Sequence, residues 1–112
     1  MNVSEIRRFA LSLPEVTEEP HHHFSSFRVR GKIFTTVPPD ESHVHVFVDD
    51  AERERMTATA PEAYEKLWWG KKVVGLRVTV SKANAADVEE LLRSAWLRKA
   101  SAALIRRLDG GS

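Results

Sequence analysis

The stretch that decides the fold runs from Glu19 to Val37 and reads EPHHHFSSFRVRGKIFTTV. Residues 26–30 alternate apolar and polar side chains, which is the pattern of a β-strand with one face on a core, and residues 32–37 are interpreted as a second strand. Gly31 separates the two runs, and a glycine there is typical of a turn or a bulge. The stretch therefore predicts two adjacent antiparallel strands.

The residues on either side extend this pair into a larger sheet. Ser4 is a candidate N-cap for a first helix, which Pro14 ends. Beyond the pair, Pro38 and Pro39 stop the second strand, and residues 43–48 alternate again as a third strand. The first half of the chain is thus predicted to be a helix followed by a three-stranded antiparallel meander.

The second half repeats the alternation of helix and strand. Asp49 and Asp50 are predicted to cap a helix that runs to about Thr59, where their carboxylates would face the positive helix end. Two strands follow, over residues 64–69 and 73–80. Asn84 then caps a last helix with one apolar stripe, listed as Val88, Leu91, Leu92, Ala95 and Trp96. The stripe pattern breaks near Lys99 and resumes to Leu108. The order helix, three strands, helix, two strands, helix predicts an α+β protein with helices packed on an antiparallel sheet in two layers.

Length and composition limit the possible classes of protein. With 112 residues, 42% hydrophobic and 29% charged, the chain is predicted to be one domain over residues 1–109, with residues 110–112 as a frayed tail. No apolar run approaches the roughly 20 residues that cross a bilayer, and the first residues lack the apolar core of a signal peptide. We therefore expect a cytoplasmic protein without a membrane partner.

Cysteine content and net charge exclude further classes. The chain has no cysteine, which rules out disulfides, thiol catalysis and cysteine-bound metal centres. The net charge is +1, so no field of the whole molecule attracts nucleic acid, and any basic surface has to be local.

Basic residues on the strands suggest such a local surface. If Val29 points to the core, together with Val74, Leu76, Val78 and Val80 of the last strand, alternation turns Arg28, Arg30, Arg77 and Thr79 to the other side of the sheet. A basic sheet face able to contact phosphates would result. The alternative is an ordinary solvated face, and the low net charge favours it.

Trp68 and Trp69 stand directly before Lys71 and Lys72, which lie in the predicted turn between the last two strands. Cations beside aromatic rings can hold phosphates while the rings stack on bases. Paired tryptophans more often fill a core, however. A buried pair is therefore the more common case, with a nucleic-acid surface as the alternative, and the sequence does not define which of the two applies here.

The histidines are the other candidate site. Residues 21–23 are three consecutive histidines, and a metal site or an expression tag could explain them. A tag is normally terminal, and adjacent residues rarely converge on one metal ion, so a native surface loop is the favoured interpretation. His43 and His45 would share one face of a strand and could join His21 or His23 only if the fold brings them together.

Catalytic signatures are missing from the sequence. It has no glycine-rich phosphate loop, nucleophile elbow or HExxH motif. Glu15, Glu18 and Glu19 precede the histidines, and Ser25 follows them, but a catalytic pair needs a pocket that the sequence does not define. We expect no enzymatic activity, no cofactor and no metal site.

Several motifs together resemble the YjbR/MmcQ-like family of small bacterial proteins. They are Leu-Pro-Glu-Val-Thr-Glu at residues 13–18, the strand pair from Phe27 to Phe34, and the late helix with Ser94 and Trp96. The resemblance covers nearly the whole chain and implies a fold related to secretion chaperones. It also implies a suggested DNA-binding role, without known catalytic residues, and on that basis marks Lys32 and the basic residues Arg98 and Lys99.

These observations combine into one functional hypothesis. We expect a bacterial, non-catalytic binding module whose partner is DNA or another nucleic acid. A protein-interaction or chaperone-like module is the alternative, and metal binding or catalysis ranks below both. The residues predicted to contact nucleic acid are Arg28, Arg30, Lys32, Lys71, Lys72, Arg77, Arg98 and Lys99. The oligomeric state is not defined by the sequence.

Overall fold

The computed structural model describes residues 1–109. The frayed tail predicted at residues 110–112 lies outside the described residues. The helices are α1 (Val3–Ser12), α2 (Asp50–Thr59), α3 (Ala85–Lys99) and α4 (Ala102–Asp109). The strands are β1 (Val16–His21), β2 (Phe24–Val29), β3 (Lys32–Val37), β4 (His43–Val46), β5 (Tyr64–Trp69) and β6 (Lys72–Thr79).

The strands form one antiparallel sheet in the order β1-β2-β3-β4-β6-β5. This confirms the predicted α+β class, with helices on an antiparallel sheet. The break near Lys99 is also confirmed, since α3 ends there and α4 begins at Ala102. The sheet has one strand more than the sequence predicted, because no strand was predicted before the histidines, where β1 lies.

β1 was missed because its residues are rare in strands. It reads VTEEPH, and both Glu and Pro are depleted in sheets. It lies at one end of the strand order, and a terminal strand tolerates proline and charges, which also discourage pairing with another chain. His21 ends β1 opposite Phe24, so the triple histidine forms the end of a strand and the following turn.

Two of the three predicted helix caps are confirmed. The side chain of Asp49 accepts from the backbone N–H of Glu52, and that of Asn84 accepts from the backbone of the first turn of α3. The prediction for Ser4 is wrong, because α1 begins earlier. Asn2 caps it instead, and its backbone N–H bonds the side chain of Glu5 in a capping box.

The core lies between the helices and one face of the sheet. Ile6 of α1 and Leu91 of α3 are buried against the sheet residues Phe27, Val46 and Leu76, and we call this side of the sheet the covered face. Burial of such side chains stabilises the fold by about 1.5–3 kcal/mol each. The opposite side, which we call the open face, carries Ser26, Thr36, His45, Arg77 and Glu65 in one row across the strands.

None of the helices in the described part of the chain combines the length and apolar character that crossing a membrane requires.

Candidate functional site

A groove with a volume of about 620 Å³ lies on the open face. Its apolar lining consists of Phe24, Ile33, Phe47, Leu67, Trp68, Trp69 and Val74. Its polar lining consists of His21, His22, Thr36, His45, Arg98 and Lys99. Among the described residues that line it, none is acidic. An apolar concavity with a few polar groups is the usual form of a ligand site.

Bulges in two strands shape this groove. The register of β2 on β3 shifts between Phe27 and Arg28, so that one residue of β3 has no partner. The register of β5 on β6 shifts between Leu67 and Trp68 in the same way. A bulge bends the strand and re-aims the side chains beside it. At the second bulge, Val74 lines the groove beside both tryptophans. The prediction that Val74 points to the core is therefore wrong, because the bulge interrupts the alternation of β6 at this position.

The tryptophans are exposed, which decides against the core position that paired tryptophans more often take. Trp68 is 58% and Trp69 is 76% accessible. The physical reason is their position at the free end of β5, the terminal strand of the sheet, just before the turn at Gly70. Exposed neighbouring indole rings are uncommon on a surface that has only to be solvated, and they indicate contact with a ligand or partner.

Four of the eight predicted basic residues lie at or beside the groove. Arg98 and Lys99, at the C-terminal end of α3, line it directly. Nη1 of Arg98 donates to the backbone oxygen of Phe47 at 2.7 Å, which holds the guanidinium in place without cancelling its charge. Lys71 and Lys72 are exposed in the turn that follows Trp69.

The other four do not join them in one basic surface. Arg28 is on the open face opposite Ile33 and donates to Ser26. Arg77 is also on the open face, but its charge is paired with Glu65 at 2.7 Å. Arg30 lies in the β2–β3 turn and forms two bonds of 3.1 Å to the carboxylate of Glu15. Lys32 is exposed opposite Val29, which is buried in the core, and therefore stands on the covered side.

The histidines divide between two parts of the molecule. His21, His22 and His45 line the groove. His23 lies in the neighbouring turn, and His43 contacts Ser42 at 2.9 Å. Among the side chains that the structure describes, no three of His, Asp or Glu come together as a set of metal ligands.

His45 of β4 is a partly buried ionisable group in the groove. Burial lowers its pKa, and the positive charge of Arg77 lowers it further. The ring lies against Phe24, with 5.8 Å between ring centroids. At neutral pH, His45 therefore presents a neutral imidazole, with one donor and one acceptor nitrogen.

Ser25 and Glu18, considered above as catalytic candidates, contact each other near the β1–β2 turn. The Ser25 hydroxyl donates to the carboxylate of Glu18, which also accepts two bonds from Nε of Arg7, at 3.0 and 3.1 Å. The serine hydroxyl is thus bonded to a carboxylate whose charge an arginine already neutralises. It joins α1 to the first two strands and does not pair the serine with a histidine base.

Sequence reasoning missed the apolar part of the groove. Phe24, Ile33 and Leu67 lie on the open face and line the groove. The available signal was the presence of large apolar side chains at positions of both parities in the same strands. Such strands are expected when both faces of a sheet are covered. Here the described residues of the chain cover only one of the two faces.

Comparison with known proteins agrees with this fold. The YjbR family model matches residues 11–98. A similar fold is found in the crystal structure of the Deinococcus radiodurans protein DR2400, which has the DUF419 domain; the TM-score is 0.78 with 20% sequence identity, over 98% of this chain and 88% of that chain. No curated protein matches the sequence. Because the family model spans the chain from the end of α1 to the end of α3, the protein belongs to the YjbR family.

Proposed function

We propose that the protein is a non-catalytic binding module that holds single-stranded nucleic acid in the groove of the open face. The observation that carries this proposal is the juxtaposition of Trp68 and Trp69, both exposed, with Arg98 and Lys99 in one groove. Aromatic rings stack on bases of any sequence, and nearby cations neutralise the phosphates.

Charge complementarity favours an anionic ligand. The described lining of the groove contains two basic residues and no acid, and the Lys71–Lys72 turn adds two more cations beside Trp69. Each cation that contacts a phosphate releases counterions, so affinity should fall as salt rises. The apolar floor supplies the flat surface that unpaired bases require and that a duplex, with its bases stacked inside, would not use.

Fluorescence anisotropy of labelled single- and double-stranded DNA, at about 50 and 200 mM salt, tests the proposal. We expect single strands to bind more tightly than duplexes, with weaker binding at the higher salt. Trp69→Ala should weaken single-strand binding about 5- to 150-fold, the range found for a stacked base. Lys72→Ala should weaken it and reduce the salt dependence.

Lys32→Ala is the matched control, because it removes one exposed lysine from the other side of the sheet. We expect it to leave both the affinity and the salt dependence unchanged. Equal losses for Lys32→Ala and Lys72→Ala would mean that binding is a general charge effect. Absence of single-strand binding at the lower salt would refute the proposal.

A protein-interaction module is the second candidate, favoured by the apolar floor of the groove and by the position of β5 at the end of the sheet. A terminal strand can pair with an extended segment of another chain. Light scattering over a range of concentrations tests association between copies. A mass that rises with concentration and returns to the monomer value in Trp69→Ala would favour this candidate over nucleic acid.

A further inference from the structure

Thr36 and His45 stand opposite each other on β3 and β4, in the middle of the open face. They belong to the cross-strand row that also contains Ser26, Arg77 and Glu65. Both line the groove. They are therefore the polar groups that a ligand reaches on the floor, whereas the other polar lining residues belong to the strand ends, turns and helix α3 that border it.

The remaining members of the row already have partners. The Ser26 hydroxyl donates to the backbone oxygen of Glu19 at 2.6 Å and accepts from Nε of Arg28 at 3.0 Å. Arg77 donates to Glu65 at 2.7 Å. None of these three residues lines the groove.

Thr36 and His45 differ from them. Oγ1 of Thr36 is 3.5 Å from Nδ1 of His45, which is beyond the usual length of a strong hydrogen bond. The neighbouring Thr35 shows the contrast, because its hydroxyl donates to the backbone oxygen of His45 at 2.7 Å. The hydroxyl of Thr36 and the imidazole of His45 thus keep donor and acceptor capacity at the centre of an apolar groove.

We propose that Thr36 and His45 read the hydrogen-bonding edge of one base, and so give the groove a base preference. This inference rests on the function proposed above and assigns its specificity to two residues. A hydroxyl and an imidazole together offer donors and acceptors, and each unpaired base presents both kinds of group on its edges. The tryptophans and cations supply only a modest preference, because stacking and phosphate contacts tolerate any sequence and differ between bases mainly in stacking strength.

The charge state of His45 supports this role. The pKa of its imidazole is lowered by burial and by Arg77 and His43, against a smaller opposing effect of Asp40. The neutral ring retains an acceptor nitrogen, which a protonated ring would lose. An acceptor is needed to discriminate a base amino group from a carbonyl.

The test measures the affinity of the wild-type protein for labelled single strands of about ten nucleotides, a length within known site sizes. The probes are homopolymers of dA, dC and dT, with an abasic strand as the reference. We expect the affinities for the best and worst base to differ about fivefold or more, as one good contact to a base edge provides. Thr36→Val and His45→Phe keep the shape of the floor and should reduce that difference to less than about twofold.

Trp69→Ala is the matched comparison, because it should weaken binding to all three homopolymers by the same factor and leave their ratios unchanged. Far-ultraviolet circular dichroism of each variant checks that it is folded. If wild type binds the three strands equally, or if both floor variants keep the wild-type ratios, this inference is overturned while the proposed function stands. If wild type binds none of the strands, both are overturned.

Discussion

The covered and open faces of the sheet are built from the same six strands, yet they treat apolar side chains differently. On the covered face, Phe27, Val46 and Leu76 are completely buried beneath the helices. On the open face, Phe24 and Phe47 remain partly exposed, and the tryptophans of β5 more so. The difference teaches that the apolar area of the open face exceeds what folding needs, since side chains left in water contribute little to stability.

The largest difference between the two faces is expected in how much their aromatic side chains contribute to the free energy of unfolding. We expect Phe27→Ala to lower the free energy of unfolding by about 3–5 kcal/mol, because it leaves a cavity in the packed core. Trp69→Ala should change it by no more than about 0.5 kcal/mol, since the ring is largely in solvent. Urea unfolding followed by circular dichroism at 222 nm, a common far-ultraviolet wavelength for helices, measures both values without relying on tryptophan fluorescence.

Similar losses for the two variants would break the comparison, because Trp69 would then be part of the core packing. A combined variant provides a further check. Phe27 and Trp69 lie on different faces and share no contact that the structure defines, so their effects should add within about 0.5 kcal/mol.

The second prediction concerns Gly75 of β6, which lies against the backbone at the end of β4. A Cβ added at Gly75 would lie 2.4 Å from the backbone oxygen of Val46 and 3.1 Å from Cα of Phe47, so the chain leaving β4 passes directly over this glycine. We expect Gly75→Ala to lower the free energy of unfolding by about 1–3 kcal/mol, as overpacking does. It should also weaken binding in the groove, because Phe47 would have to move.

Gly70→Ala is the control for that prediction. Gly70 has a φ of +61° and open space around its Cβ position, so alanine there meets only the cost of a left-handed backbone, about 1–2 kcal/mol. The two variants should differ in binding more than in stability. Unchanged ligand affinity in Gly75→Ala would show that Phe47 does not shape the groove.

The sequence predicted most of the covered face, because that face follows simple periodic rules. The apolar stripe of α3 and the caps at Asp49 and Asn84 lie where the patterns placed them. The family motif is part of the same framework: Nε1 of Trp96 donates to the backbone oxygen of Pro14 at 3.0 Å, and Ser94 donates to Glu52 at 3.1 Å. These motif residues join helices to each other and to the turn before β1.

The open face was predicted less well, because its arrangement depends on strand order and on bulges. The sequence could not show that Arg77 faces Glu65 or that Arg30 faces Glu15. Nor could it show that Lys99, at the end of a helix, and Trp69, at the end of a strand, border one groove. Positions far apart in the chain meet there only through the order β4-β6-β5.

The smallest effect we predict is a dependence of stability on pH that originates in His45. The pKa of His45 is lowered in the folded protein, first by burial and then by Arg77. The unfolded chain therefore binds more protons than the folded protein at pH values between that lowered pKa and the ordinary histidine pKa of about 6.5. The contribution of His45 to stability is therefore complete above that ordinary value and is lost as the pH falls below it.

Urea unfolding at a series of pH values from about 8 to 5 measures this loss, in a range above the titration of ordinary carboxylates. His45→Gln should reduce the slope, whereas His23→Gln, in the exposed turn, should keep it. If the free energy of unfolding of His45→Gln depends on pH as strongly as that of wild type, a different group causes the dependence. If the pH dependence disappears in His45→Gln, the lowered pKa of His45 is its source. Because burial is the main cause of that lowering, the floor of the open face would then be shielded from water even without a ligand, unlike its rim.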